Sequence, residues 1–175
     1  SGVWIIWAHS SNGKTRFAIQ LAKYLTNFGK VAYNTLEEGA RSSFQRAVNA
    51  ENMGECGNKF TILNREPMNE LKQRLRKKRS SPDIIFIDSF QYTGMSKKEY
   101  IALKEEFPKK LFILISHSEG KHPEGRVAKF VRYDADLKIR VEGFRALNMG
   151  RAGGGTPFTI WEEGANNYWN TDTNE

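Results

Sequence analysis

Short apolar runs alternate along the chain with longer stretches of helical period. Val3 to Ala8 is the first apolar run, and a glycine-bearing turn follows it. Thr15 to Phe28 then spaces Phe17, Leu21, Tyr24, Leu25 and Phe28 on one helical stripe, which Gly29 ends. Val31 to Asn34 predicts a second strand, Arg41 to Ala50 a helix, Phe60 to Leu63 a short strand, and Met68 to Arg79 a helix opened after Pro67. Ile84 to Asp88 and Leu111 to Ser116 are β-branched, apolar and bounded by turn residues. Strands covered on both faces read this way, so these two are expected to be the central pair. The whole rhythm is that of repeated strand-helix units around a mostly parallel sheet.

Beyond Ser116 the pattern changes. The polar stretch HSEGKHPEGR leads to a short helix, and then Leu137 to Glu142, Phe144 to Asn148 and Pro157 to Trp161 read as antiparallel strands. The expected class is therefore α/β: a mostly parallel central sheet flanked by helices, with antiparallel strands at the C-terminal end. No internal repeat and no linker divides the chain, so residues 1–170 are expected to form a single domain and residues 171–175 a frayed tail. The glycine-rich segment Arg151 to Gly155 is the loosest interior loop.

Composition narrows the class of protein. At 175 residues, with 39% hydrophobic and 12% aromatic residues, the chain can bury roughly two-thirds of its unfolded surface, which excludes global disorder. Cys56 stands alone, excluding an internal disulfide framework and every multi-cysteine zinc pattern. With no signal-like start, a reducing, cytoplasmic location is the expectation. The longest strongly apolar runs, Ile84 to Ile87 and Leu111 to Ile115, fall far short of the ~20 residues a membrane helix needs, so no membrane partner is expected. Lys plus Arg number 27 against 20 for Asp plus Glu, a formal +7 with a pI near 9.5, which favours phosphate-bearing partners.

The sharpest chemical signal is Ala8-His9-Ser10-Ser11-Asn12-Gly13-Lys14-Thr15, which fits a P-loop with alanine in the first place. It lies between a buried strand and a helix, where backbone N–H groups and the helix N-terminus face the phosphates of a bound nucleotide. Gly13 lets the backbone approach, Lys14 reaches the β and γ phosphates of ATP, and the Thr15 hydroxyl can ligate Mg²⁺; Arg16 follows directly. Asp88 closes the run Ile84-Ile85-Phe86-Ile87, so its carboxylate should emerge at the carboxyl end of a strand and hold the Mg²⁺ water shell, with Ser89 assisting. Hydrolysis needs a base for the attacking water, and both Glu37 and Glu38 follow the second strand at the same edge. His117, ending Leu111 to Ser116, either contacts the γ phosphate or serves as a structural hydrogen-bonder.

These residues resemble the RecA-like ATPases, especially the RadA repair proteins and the DnaB-type replicative helicases. Thr35-Leu36-Glu37-Glu38 is similar to the helicases' Ser-Leu-Glu-Met segment, whose glutamate activates water, so the resemblance implies Glu37 as the base. Arg46 matches an arginine that in those helicases lies against the nucleotide base. Ile87-Asp88-Ser89 resembles the family's Walker B, and Leu114-Ile115-Ser116-His117 its sensor strand. Ser118 to Gly125 resembles the DNA-facing second loop, which implies Lys121, His122 and Arg126 as nucleic-acid contacts. Phe144 to Arg151 is similar to the RadA strand that carries Lys-Asn-Arg to a neighbouring subunit's nucleotide: Arg151 matches the arginine, while Met149 replaces the lysine.

The resemblance thus implies a RecA-like P-loop fold and a Mg²⁺-dependent ATPase. It also implies single-stranded or branched DNA as a partner, assembly into a homo-oligomer or ring, and a role in DNA repair, recombination or replication. A P-loop kinase of a small metabolite would need an arginine-rich lid, which the sequence lacks; a non-hydrolysing nucleotide-sensing protein is the other alternative. The cations of Lys72 to Arg79 read as a solvated helix end, and Trp4, Trp7, Trp161 and Trp169 as packing in or beside strands.

Overall fold

Residues 1–150 and 155–171 are described by a computed structural model. β1 (Gly2–Ala8) passes through the P-loop segment to α1 (Lys14–Leu25), and β2 (Val31–Thr35) is followed by α2 (Ser42–Ala50). β3 (Phe60–Asn64), α3 (Met68–Leu75), β4 (Ile84–Asp88), α4 (Lys97–Glu106) and β5 (Leu111–Glu119) come next. β6 (His122–Pro123) pairs with the end of β5 before α5 (Arg126–Asp134). β7 (Leu137–Glu142), β8 (Arg145–Asn148), β9 (Phe158–Thr159) and α6 (Glu162–Thr171) complete the described chain.

The strands lie in the order β3-β2-β4-β5-β1-β7-β8-β9. Every pairing from β3 to β7 is parallel, and β7-β8 and β8-β9 are antiparallel, so the mixed sheet expected from the sequence is present. β4 and β5 are the central pair of its parallel part, while β5 and β1 stand at the middle of the whole strand order, and both β4 and β5 are buried along their apolar runs. Their side chains divide by the period of two that a pleated strand imposes. Ile84 and Phe86 join Phe17, Ala18 and Ala22 of α1 and Phe44 of α2, whereas Ile85 and Ile87 join Leu71 of α3, Tyr100 of α4 and Val131 of α5. Each fully buried Ile or Phe contributes about 1.5–3 kcal/mol, so the four-residue run of β4 alone anchors both layers.

Several sequence expectations are corrected. β7 is parallel to β1 and antiparallel only to β8, because apolar periodicity does not encode strand direction. α1 ends at Leu25, where the Thr26 hydroxyl donates to the Lys23 carbonyl at 2.6 Å. Its buried face is Phe17, Ala18, Ile19, Ala22 and Leu25; Tyr24 and Phe28 stand 59% and 67% exposed and cover one another edge to face at 5.4 Å. α3 stops at Leu75, with Ser80 in a left-handed conformation closing the turn that replaces the expected last helical turn. α4 and α6 have no counterpart in the sequence reading, and Trp169 lies in α6, not beside a strand. Ser118 to Gly125 is a hairpin built on β5 and β6. No helix among the described residues is long and apolar enough to cross a membrane.

Candidate active site

The parallel registers bring four strand ends together. Thr35 pairs with Asp88, Asp88 with Ile115, and His117 with Ala8, so the P-loop, Glu37, Asp88 and His117 all emerge at one edge of the sheet. Ligands of open α/β sheets gather at this carboxyl edge.

Between Ala8 and Lys14 the backbone must turn sharply, and Ser11 and Gly13 take positive φ angles of 64° and 95°. Gly13 is required twice over: a side chain there would be strained by that φ and would meet the Phe144 ring at 2.8 Å. Asn12 fixes the loop from behind. Its Oδ1 accepts from the Gly143 N–H at 2.8 Å, its carbonyl accepts from the Phe144 N–H at 3.1 Å, and its Nδ2 donates to the Ser10 carbonyl at 3.0 Å. His9 is exposed, with Nε2 3.0 Å from the Gly120 carbonyl at the hairpin tip. Thr15 is half-buried at the first turn of α1; Arg16 is exposed, near Glu51 at 3.4 Å and over the Trp161 ring.

Lys14 Nζ stands 3.9 Å from Asp88 Oδ1, a loose ion pair. The other Asp88 oxygen accepts from the Tyr33 hydroxyl at 2.7 Å. Burial pushes the Asp88 carboxyl above its ordinary pKa against the opposing pull of Lys14 and Tyr33, and Glu37 and Glu38 push the same way as burial. Burial, reinforced by Asp88, also raises Tyr33 well above the usual phenol range, so its hydroxyl keeps its proton and remains a donor. Next to this pair the buried Ser89 hydroxyl has no hydrogen-bond partner. Among the described residues no three His, Cys, Asp or Glu side chains gather to hold a metal. A Mg²⁺ that keeps most of its waters and arrives with nucleotide phosphates needs no such cage, and the Ser89 hydroxyl, next to Asp88 in the chain and without a partner among the described residues, suits that mode of binding.

Glu37 and Glu38 point different ways. The Leu36 and Glu37 N–H groups both donate to the Asp88 carbonyl, at 2.6 and 3.2 Å, which sets Glu37 over the end of β4. Its Oε2 lies 2.8 Å from His117 Nε2, whereas Glu38 Oε2 accepts from Ser43 at the start of α2 at 3.3 Å. The His117 backbone is tied on both sides: its N–H donates to Gln91 Oε1 at 3.2 Å, and its carbonyl accepts from the Glu124 N–H at 2.8 Å. Gln91 Nε2 donates to Ser116 Oγ at 2.6 Å and to the Glu124 carbonyl at 3.0 Å, linking the strand end to the hairpin.

The structure thus brings together Lys14, Asp88, Glu37 and His117. It leaves Arg46 apart, exposed on α2 without a described ion pair. Lys121, His122 and Arg126 are exposed in and after the hairpin; the Lys121 carbonyl accepts from Trp7 Nε1 at 3.1 Å, and His122 contacts Arg132. Arg151 lies outside the described residues. Tyr33, Gln91 and the Gly143-Phe144 support were missed, and only the polar tip of Tyr33 within the buried strand β2 offered a signal.

No family model matches the chain, and no curated protein matches its sequence. Solved structures do match in fold. The flagellar accessory protein FlaH from Methanocaldococcus jannaschii is 19% identical, covering 91% of this chain and 85% of its own, with a TM-score of 0.65. The KaiC-like protein PH0186 from Pyrococcus horikoshii is 18% identical, with 91% and 86% covered and a TM-score of 0.65. A third solved structure, an ATPase domain, is 17% identical over 89% of this chain and 79% of that one, with a TM-score of 0.62. The strand order, the P-loop between β1 and α1, and these neighbours agree: the chain has the RecA-like P-loop fold.

Proposed function

We propose that this protein is a Mg²⁺-dependent ATPase that couples ATP binding and hydrolysis to work on DNA in repair, recombination or replication. The observation that carries the reading is the pairing of Glu37 with His117 at 2.8 Å beside the Lys14-Asp88 pair, at the ends of neighbouring strands. In this reading the backbone N–H groups of the P-loop and Lys14 hold the triphosphate, and Thr15 and Asp88 hold the Mg²⁺ and its water shell. Held there, the cation would supply neutralisation of the charge that develops on the phosphate oxygens. Lys14 then exchanges its loose contact with Asp88 for the β and γ phosphates. Glu37 takes the proton of the attacking water as its oxygen bonds to the γ phosphorus and the bond to the ADP oxygen breaks. His117 orients the Glu37 carboxylate before the nucleotide arrives and is placed to donate to the γ phosphate afterwards.

The nucleic-acid half of the reading is supported by the formal +7 charge and by Lys121 and His122 on the hairpin that hydrogen-bonds both His9 and His117. A homo-oligomer or ring is proposed as the active form, with Arg151 of one copy supplied to the nucleotide of the next. The deciding experiment is phosphate release from Mg-ATP with and without single-stranded and double-stranded DNA, across a range of protein concentration. Turnover that rises with DNA and with concentration supports the reading. Tight ATP binding without turnover in any condition identifies a nucleotide-sensing protein instead.

A further inference from the structure

We propose that the outer face of α5 and the adjoining edge of β7 form a groove that binds single-stranded nucleic acid, with Lys129, Arg132 and Lys138 on the phosphates and Tyr133 stacking on a base. It rests on the nucleic-acid half of the function proposed above and assigns that role to residues outside the hairpin.

A groove of about 570 Å³ opens here, lined by His122, Lys129, Arg132, Tyr133, Lys138 and Met149. Positions 129, 132 and 133 share one helical face, and the opposite face carries the buried Ala128 and Val131. Three permanent cations thus converge on one concavity. Glu119 meets Lys129 at 3.0 Å with both side chains largely exposed, and Asp134, paired with Lys104, also acts on Lys138 through its charge. An exposed pair such as Glu119 with Lys129 contributes little, so a phosphate displaces the carboxylate easily. The Arg132 guanidinium lies over the Trp7 ring at 4.8 Å and beside His122, which holds its planar fork in place. Lys138 Nζ donates to the Tyr133 backbone carbonyl at 3.2 Å, which ties the start of β7 to the end of α5.

Tyr133 selects the ligand. It is 82% exposed, with only the half-exposed Met149 as an apolar companion in the groove. A membrane-seated helix presents a row of apolar side chains, which this face lacks. A duplex keeps its bases stacked inside and offers Tyr133 nothing to cover it. A single strand supplies both parts at once: a phosphate at each step for the cations and an open base face for the ring. The groove also adjoins the nucleotide site through His122, since the same hairpin accepts hydrogen bonds from Trp7 through Lys121 and donates one to His117 through Glu124.

The test is fluorescence anisotropy of labelled oligothymidylate and oligouridylate at low salt without nucleotide, using the full chain. The variants are Lys129→Glu with Lys138→Glu, Tyr133→Ala, Tyr133→Phe, and Lys121→Ala with Arg126→Ala. Charge reversal is expected to weaken binding about tenfold or more and to flatten its salt dependence. Tyr133→Ala should lose about fivefold or more, and Tyr133→Phe should retain wild-type affinity because stacking needs only the ring. Circular dichroism and an unchanged thermal midpoint verify that the variants fold. Undiminished binding in the groove variants with loss in the Lys121 and Arg126 variant overturns the groove and leaves the hairpin reading standing. Binding to anionic vesicles without binding to either oligonucleotide overturns it also, as does equal binding by Tyr133→Ala and wild type. Oligonucleotide binding that follows the groove variants in a protein without ATP turnover upholds the groove and rejects the ATPase reading.

Discussion

The two ends of the same parallel strands treat their polar groups in opposite ways. At the amino ends, charged side chains are satisfied by backbone: Asp136 Oδ2 accepts from the Val3 N–H at 2.8 Å, Asp83 Oδ2 from the Lys30 N–H at 2.9 Å, and Lys110 Nζ donates to Ser81 and the Pro82 carbonyl. At the carboxyl ends, Lys14 and Asp88 stand 3.9 Å apart, the Ser89 hydroxyl is buried without a partner among the described residues, and burial raises the pKa of the Asp88 carboxyl. One edge is complete by itself. The other has unmet interactions that a phosphate, a cation and its waters would meet, and such unmet interactions mark a binding site more surely than shape does.

If that contrast is correct, substitutions at the two edges must fail differently. Lys14→Ala is expected to cause the largest loss: ATP affinity should fall about a hundredfold and turnover should drop to background while the thermal midpoint barely moves, as read by nucleotide titration and calorimetry. Unchanged affinity would remove the P-loop from the reading. Glu37→Gln should keep nucleotide affinity and slow phosphate release by about 10²–10⁴, because shape survives and the proton acceptor does not. Glu38→Gln, directed at Ser43, should do little in the same assay.

The amino edge should show the converse. Asp136→Ala strands the buried Val3 N–H and should cost about 1–3 kcal/mol in denaturant unfolding, with ATP affinity unchanged. The smallest effect on stability is expected of Asp88→Asn. Its folded-state pKa is raised, so the folded protein holds that proton more tightly than the unfolded chain, and stability is lost as pH rises through the folded value. The asparagine variant escapes that loss. Its unfolding midpoint should exceed that of the wild type slightly at neutral pH and converge with it toward acid pH, while Mg²⁺-dependent turnover falls. A variant less stable than wild type at every pH would mean that the Lys14 and Tyr33 contacts outweigh burial.

What could be read in advance was local. The P-loop and Asp88 announce themselves because spacing within a few residues fixes their place between a buried strand and a helix. The choice between Glu37 and Glu38 was invisible to spacing, since it depends on His117, eighty positions away, arriving on the second strand over. α4 was overlooked although Ser96 and Glu99 form a capping box at its start, because only Tyr100 and Leu103 are buried and the apolar period is faint. α6 hid for a similar reason: Gly164 interrupts it, and Glu162 and Glu163 in its first turn were the remaining cue. Tyr24 and Phe28 misled in the other direction, since two aromatics that shelter one another at the surface carry the same spacing as a core stripe.

Consider finally the support behind the P-loop as a mechanical part. Trp169 of α6 donates to the Gly143 carbonyl at 3.1 Å, Tyr168 packs so closely on Gly143 that no Cβ fits there, and the Gly143 N–H holds Asn12 at 2.8 Å. The last described helix is therefore joined to the P-loop segment through a single turn. Gly143 is the shared link, which makes α6 a brace for the loop between β1 and α1.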